Sequence, residues 1–491
     1  MEESLASSAT KAGIGYTVAN ILIKGIGFLT LPIFSRLLDT HDFGIYNVFL
    51  AYDAILFCVI GFALHSSVKS ANWEFPGKID RYISSISLIY LANMVILIVL
   101  VLTIGAPLED LLGLETVVIV AMVLHSFGQA IVTLYNARIS LQYSYGKYMA
   151  VAAATSLGNI ALSLLLIFTV FTNQRYLGRI LGATVALLAV GLILVALFWR
   201  KARPHVSKTY WKFGMRYSLP IVAHGLSQVL LAQIGRLMTN YMVSTAAAGV
   251  YGLAANLSSI IAVLAESVST VWSTWFYETM EGESAGGATE QKDLTAGELD
   301  TRGAVIRKRA DQLATLFAIV TIALMAIAPE MIWVLGGDAF MEGAYCAFGI
   351  ILSGYCVILY NLICVGEYYK QKTGYIMVGT IAAAVINIIL NFWGISTFGY
   401  IAAAYTTLVA YVFYVAFHWF ISRKLIGFPV LSGARTIALG SVLIICMGCD
   451  IALMGLLIPR LVVGLAVSLA AMVFLVHSVG GFKGIIRLVK R

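Results

Sequence analysis

Apolar runs of about 20 residues, long enough to cross the roughly 30 Å hydrocarbon core of a bilayer as helices, recur from one end of this chain to the other. Short clusters of charged, glycine and serine residues separate them. A membrane β-barrel would instead show short segments of alternating apolar and polar residues. The runs predict fourteen transmembrane helices, at about residues 13–34, 43–64, 82–104, 115–136, 149–171, 177–198, 214–242, 247–275, 312–335, 344–366, 374–394, 398–420, 434–456 and 460–479. The fold class they imply is an all-α polytopic membrane protein.

Composition agrees. Of 491 residues, 60% are hydrophobic and 11% charged, with a mean hydropathy of +0.91. That is more apolar surface than a water-soluble fold can hide. The first run has no small-residue cleavage site behind it and follows Glu2 and Glu3, so it reads as a retained helix rather than a signal peptide. The six cysteines, Cys58, Cys346, Cys356, Cys364, Cys446 and Cys449, lie mostly inside apolar runs without metal-ligand spacing and read as small buried side chains. The net charge of +8 follows the loops rather than one stripe, so nucleic acid is not an expected partner.

Those loops set an orientation, because basic residues stay on the cytoplasmic side. Of the 32 Lys and Arg, 25 fall in the N-terminus and the loops after the even-numbered spans, including Arg200, Lys201, Arg203, Lys208 and Lys212 in one loop. The opposite loops hold four, Arg36, Arg175, Arg179 and Arg460, and three lie within predicted spans, Lys24, Arg216 and Arg236. Both termini are therefore expected in the cytoplasm. Residues 277–310 are acidic and Gly/Ser-rich, then basic, and read as a flexible cytoplasmic loop.

An internal repeat emerges when the halves are slid past each other. At an offset of 228, Gly146, Met149, Asn159, Ile160 and Leu162 match Gly374, Met377, Asn387, Ile388 and Leu390. At 205, Gly44 and Tyr46 match Gly249 and Tyr251; at 200, Arg36 and Leu37 match Arg236 and Leu237. A six-span unit enters the membrane in the same direction both times, giving parallel repeats. The expected organisation is an N-lobe of six spans (1–198), a basic linker (199–213), a C-lobe of six spans (214–420) and two extra C-terminal helices with a basic tail (421–491), with the substrate site in a cavity between lobes.

Phosphate loops, metal-ligand clusters and nucleophile elbows are absent from the sequence, so neither an enzyme nor a cofactor is expected. What remains is polar groups within spans, where an ionisable side chain costs about 2.5–3.5 kcal/mol and should face a cavity or a partner. Lys24 lies midway along span 1, with Asn20 one turn earlier, and Asp53 midway along span 2 as its alternative charge partner. Span 7 carries Tyr217, His224 and Gln228 on one face and Gln233, Arg236 and Asn240 on another. At the offset of 200, Lys24 corresponds to His224 and Arg36 to Arg236, a set of cations that suits an anionic substrate. The alternative for Arg36 and Arg236 is snorkelling to the outer headgroups. Glu266 is a candidate for neutralising His224 or carrying a coupling proton, Glu367 sits at a span end where water is near, and His125 and Gln129 read as an interhelical hydrogen-bonding pair.

The segment Gly27-Phe28-Leu29-Thr30-Leu31-Pro32-Ile33-Phe34-Ser35-Arg36-Leu37-Leu38, followed by Asp42-Phe43-Gly44-Ile45-Tyr46, resembles the polysaccharide biosynthesis transporters, the oligosaccharide flippases of the larger MATE and lipid II flippase (MOP) superfamily. So do Ala248-Gly249-Val250-Tyr251, Asn387-Ile388-Ile389-Leu390-Asn391 and Phe398-Gly399-Tyr400-Ile401-Ala402-Ala403-Ala404. The similarity runs from about residue 10 to 425. One departure is Gly235, which stands where family members often carry an Asp before the span 7 Arg.

The resemblance implies two six-helix lobes around a cavity, working by alternating access in a bacterial cytoplasmic membrane. It implies a polyprenyl-diphosphate-linked oligosaccharide carried from the cytoplasmic to the outer leaflet for capsule, exopolysaccharide or cell-wall polymer assembly. The alternatives are a lipid II flippase and a cation-coupled MATE-type drug exporter, the latter needing acidic residues in its cavity. The expected partners are the lipid-linked oligosaccharide, a coupling ion (H+ or Na+) and a glycan polymerase or glycosyltransferases.

Overall fold

A computed structural model describes residues 25, 27–142, 144–281 and 296–479. In hydrocarbon every backbone N–H and C=O needs a partner within its own segment, so the apolar runs form helices. Among the described residues thirteen helices are long and apolar enough to cross a membrane, and they coincide with predicted spans 2 to 14. Of span 1, the helix Gly27–Leu37 (α1) is described; most of the rest of that span and both chain termini lie outside the described residues.

The chain divides into two compact units, Met1–Gly249 and Val250–Arg491. The boundary falls beyond the span 7 helix rather than in the basic segment 199–213. The first unit holds α1, α2 (Thr40–Gly61), α3 (Val68–Glu74), α4 (Ile79–Thr103), α5 (Gly105–Leu112), α6 (Thr116–Ser140), α7 (Tyr145–Thr169), α8 (Arg175–Lys201), α9 (Lys208–Met242) and the start of α10 (Thr245–Asn256). Its core helix is α6, which packs on α2, α4 and α8. Small residues permit the close approaches, as α7 and α8 show: a Cβ on Gly182 would lie 2.4 Å from the backbone of Ser163. Asp39 caps α2 by accepting from the Asp42 amide at 2.7 Å, turning the chain between α1 and α2.

The second unit continues with α11 (Ser258–Glu281), α12 (Ala296–Ala326), α13 (Ala328–Gly336), α14 (Gly343–Tyr369), α15 (Thr373–Phe398), α16 (Ala402–Ile426), α17 (Gly433–Ala452) and α18 (Leu457–Val479). Its core helix is α14, which packs on α11, α12 and α16, while α17 and α18 lie on α12. Arg460, expected in an outer loop, is fully buried. It donates to the carbonyls of Ala326 (2.8 Å) and Met454 (2.6 Å) and pairs with Glu330, which ties the turn between α17 and α18 to the end of α12.

The segment 277–310, expected to be a flexible cytoplasmic loop, departs from expectation where it is described. Residues 277–281 complete α11 and 296–310 begin α12; residues 282–295 lie outside the described residues. The charges that suggested a loop ride on a helix whose Gly303, Ile306 and Ala310 form a buried stripe, with Gly303 against Phe428. Arg302 donates to the carbonyls of Thr279 and Met280 and caps the C-terminus of α11.

Candidate functional site

The polar groups within the spans gather into nodes, each built by helices distant in sequence. In the first unit Asp53 of α2 is 3% exposed. Its carboxylate accepts a short hydrogen bond from the Ser126 hydroxyl of α6, and His125 Nδ1 stands 3.0 Å from its Oδ1. His125 also meets the ring of Phe49 edge-on at 5.4 Å. The expected partner, Lys24, lies outside the described residues. His125, read with Gln129 as an interhelical pair, makes its contact across helices to Asp53.

Arg179 of α8, counted in an outer loop by charge, is 6% exposed. Its guanidinium donates to Asn159 and, at 2.9 Å, to Ser163, both on α7, and to the Tyr46 hydroxyl of α2 at 2.8 Å. It also lies over the rings of Phe34 (3.9 Å) and Tyr46 (4.5 Å). Among the described residues no carboxylate pairs with it; aromatic faces and neutral oxygens carry its charge.

The second unit has a node at corresponding positions. Asn387 Oδ1 accepts from Asn391 at 2.9 Å and from Thr407 at 3.2 Å, and Thr406 donates to Asn391 at 2.6 Å. Adding 228 to Asn159, Ser163 and Arg179 yields Asn387, Asn391 and Thr407. The offset read for one asparagine therefore also carries its hydrogen-bonding partners.

The span 7 helix α9 is the least apolar of the thirteen and runs 35 residues through Pro220, which cannot donate to the helix ladder. Arg236 is buried at 8% exposure, beside the buried Gly235. His224, Gln228 and Asn240 are partly exposed, as is Gln233, and Arg36 on α1 is exposed. In the second unit Glu266 opens into a cleft of about 450 Å³ lined by Ser269, Ser273 and Asn361, with Ala262, Ala265 and Val357 behind them. Each unit thus presents polar groups at membrane depth that its own packing leaves uncovered.

Glu367 is the largest surprise. Expected near water, it is 0% exposed, and its Oε1 lies 2.7 Å from Nδ1 of the equally buried His418 on α16. Sequence reading missed His418 because nothing along α16 marks it; only the packing of α14 on α16 joins the two. For metals, the one group of potential ligands among the described residues is Asp39, His41 and Asp42, and the capping of α2 accounts for it.

A family model described as "Polysaccharide biosynthesis protein" matches residues 9–280, more than half of the chain. The chain belongs to that family. Its fold is similar to the inward closed conformation of the lipid II flippase MurJ, with a TM-score of 0.69 at 12% identity over 94% of this chain and 98% of that one. It is also similar to an inward-facing multidrug resistance MATE family transporter of the MOP superfamily, with a TM-score of 0.61 at 12% identity over 85% of this chain and 98% of that one. An outward-facing MATE family transporter follows at 0.53 and 14% identity, over 86% and 95%. No curated protein sequence matches the chain. The family is thus given by the sequence, and the fold is one shared with these membrane proteins.

Proposed function

We propose that this protein flips a polyprenyl-diphosphate-linked sugar from the cytoplasmic to the outer leaflet by alternating access, using two parallel six-span repeats. One observation carries the reading. A membrane-crossing helix, α9, bears His224, Gln228, Gln233 and Asn240, all of them partly exposed. Such a face is incompatible with hydrocarbon and calls for water or a polar cargo. The Glu266 cleft makes the same demand in the second unit.

The cargo's chemistry suits these groups. Its diphosphate would be met by Arg236, His224 and Lys24, with Arg36 toward the outer face, and its hydroxyls by Gln228 and Asn240. Asp53, held by His125 and Ser126, is a charge partner within the first unit, and Glu266 is a charge partner on the cleft of the second. The polyprenyl tail needs only hydrocarbon, and an apolar crevice lined by Leu352, Leu408, Val412, Phe420, Ile437 and Ile444 opens on the second unit. The repeat is supported by the recurrence of the Asn159 node at Asn387.

Among cargoes, the fold likeness is greater to a lipid II flippase than to the MATE transporters. That favours a lipid-linked sugar over an organic cation. The test is transport in proteoliposomes of labelled lipid II and, separately, of a labelled undecaprenyl-diphosphate oligosaccharide. We expect flipping of one of them, lost in a variant with Lys24, His224 and Arg236 all replaced by alanine. Undiminished flipping by that triple variant would overturn the cationic site, and export of an organic cation instead would overturn the lipid cargo.

A further inference from the structure

We propose that Glu367 and His418 together form a proton-binding site in the second unit, and that its proton is the one coupled to transport. The coupling half rests on the transporter reading above; the site itself does not. Both side chains are 0% exposed and 2.7 Å apart. Among the described residues Glu367 Oε2 and His418 Nε2 have no hydrogen-bond partner.

Charge counting explains what the pair holds. With one proton between them the residues are neutral overall, either as carboxylate and imidazolium or as acid and imidazole. With none the site carries a net negative charge and with two a net positive one, and burying either costs several kcal/mol. A dry site therefore keeps one proton. When water arrives the net charge can be solvated, and the proton can leave to that water or be replaced from it; no other bond forms or breaks.

The surroundings are arranged for this. The His418 ring meets Tyr360 of α14 at 4.9 Å and Tyr414 of α16 at 4.6 Å, and Tyr414 shares a hydrogen bond of 3.0 Å with Thr380 of α15. On α14, Cys364 and Tyr368 lie near Glu367, and Tyr277 of α11 lies near Tyr368. These neighbours are phenols and a thiol. α15 approaches through Gly379, where a Cβ would lie 2.6 Å from His418 Nε2. A route to water is short. Glu367 lies in the last turn of α14, and its backbone carbonyl accepts from the Lys372 amide at 2.9 Å, in a turn where Gln371 adopts a left-handed φ of 53°.

Two measurements on the full chain test this. In the first, the wild type and a Glu367→Gln/His418→Gln double variant in lipid nanodiscs are titrated from mildly acidic to mildly alkaline pH. Matched elution and melting behaviour show that the variant is folded. We expect the variant to exchange one proton fewer per chain than the wild type, a loss whose size a His41→Gln control calibrates; equal curves for the wild type and the double variant overturn the site. In the second, proteoliposomes enclosing a pH-sensitive dye move labelled lipid-linked sugar down its gradient. Wild type should move protons with it, and Glu367→Gln should move sugar without protons. Proton movement that persists in Glu367→Gln and His418→Gln overturns the coupling. A wild type that moves no sugar overturns the transport reading and the coupling with it, while the first measurement still decides the site.

Discussion

Gly44 and Gly249, which the sequence repeat pairs at an offset of 205, pack against each other reciprocally where α2 and α10 begin. A Cβ on Gly44 would fall 1.9 Å from the carbonyl oxygen of Thr245, and a Cβ on Gly249 would fall 2.2 Å from that of Thr40. Thr40 and Thr245 stand at the same offset as the two glycines.

Alanine at either glycine would push two helix backbones apart, although alanine is the better helix former. Gly44→Ala and Gly249→Ala should each destabilise the protein by about 1–3 kcal/mol. Gly440→Ala, placed where nothing lies within 4 Å, should leave stability unchanged or slightly raised. Thermal melting of the purified variants in detergent checks this, and equal melting of all three would refute the packing argument.

Arg179 serves three oxygens on two neighbouring helices with one planar fork, which a lysine cannot reproduce. Arg179→Lys should therefore cost about 1.5–3 kcal/mol, and Arg179→Ala more, because Asn159, Ser163 and Tyr46 lose their donor. Tyr46→Phe removes one of the bonds and should cost about 1 kcal/mol. A double-mutant cycle between Arg179→Lys and Tyr46→Phe should show coupling; strict additivity would mean that the hydrogen bond contributes nothing.

Glu109, on the short helix α5 outside the spans, accepts a hydrogen bond from the Thr116 amide at the start of α6. The Thr116 hydroxyl first, and that amide second, hold its carboxyl below the ordinary value of 4.5. A carboxyl lowered in the folded state contributes stability above its unfolded pKa and loses it as pH falls through the folded one. Glu109→Gln should thus melt below wild type at neutral pH, and the difference should close as the pH is taken into the acid range. A gap independent of pH would show that charge plays no part in the contact.

The spans were legible because bilayer thickness sets the length of an apolar run, whatever the neighbouring helices do. Residues 296–310 were misread for a related reason. Their charges are conspicuous, whereas the stripe of Gly303, Ile306 and Ala310 gains meaning only once Phe428 arrives to cover it. Arg179 and Arg460 were assigned to loops because charge near a span end ordinarily reaches water; here backbone carbonyls, side-chain oxygens and aromatic rings on other helices come within bonding distance and make burial tolerable.

By itself, then, the sequence determined that this is a helical membrane protein, where thirteen of its spans run, and that its halves share a pattern strong enough to pair Asn159 with Asn387 and Gly44 with Gly249. Tertiary structure alone decided which polar groups meet. Periodicity tells which face of a helix a residue occupies, but not which distant helix packs there. Asp53 therefore found His125 and Ser126, and Glu367, expected at the water's edge, was enclosed by α16 and given His418.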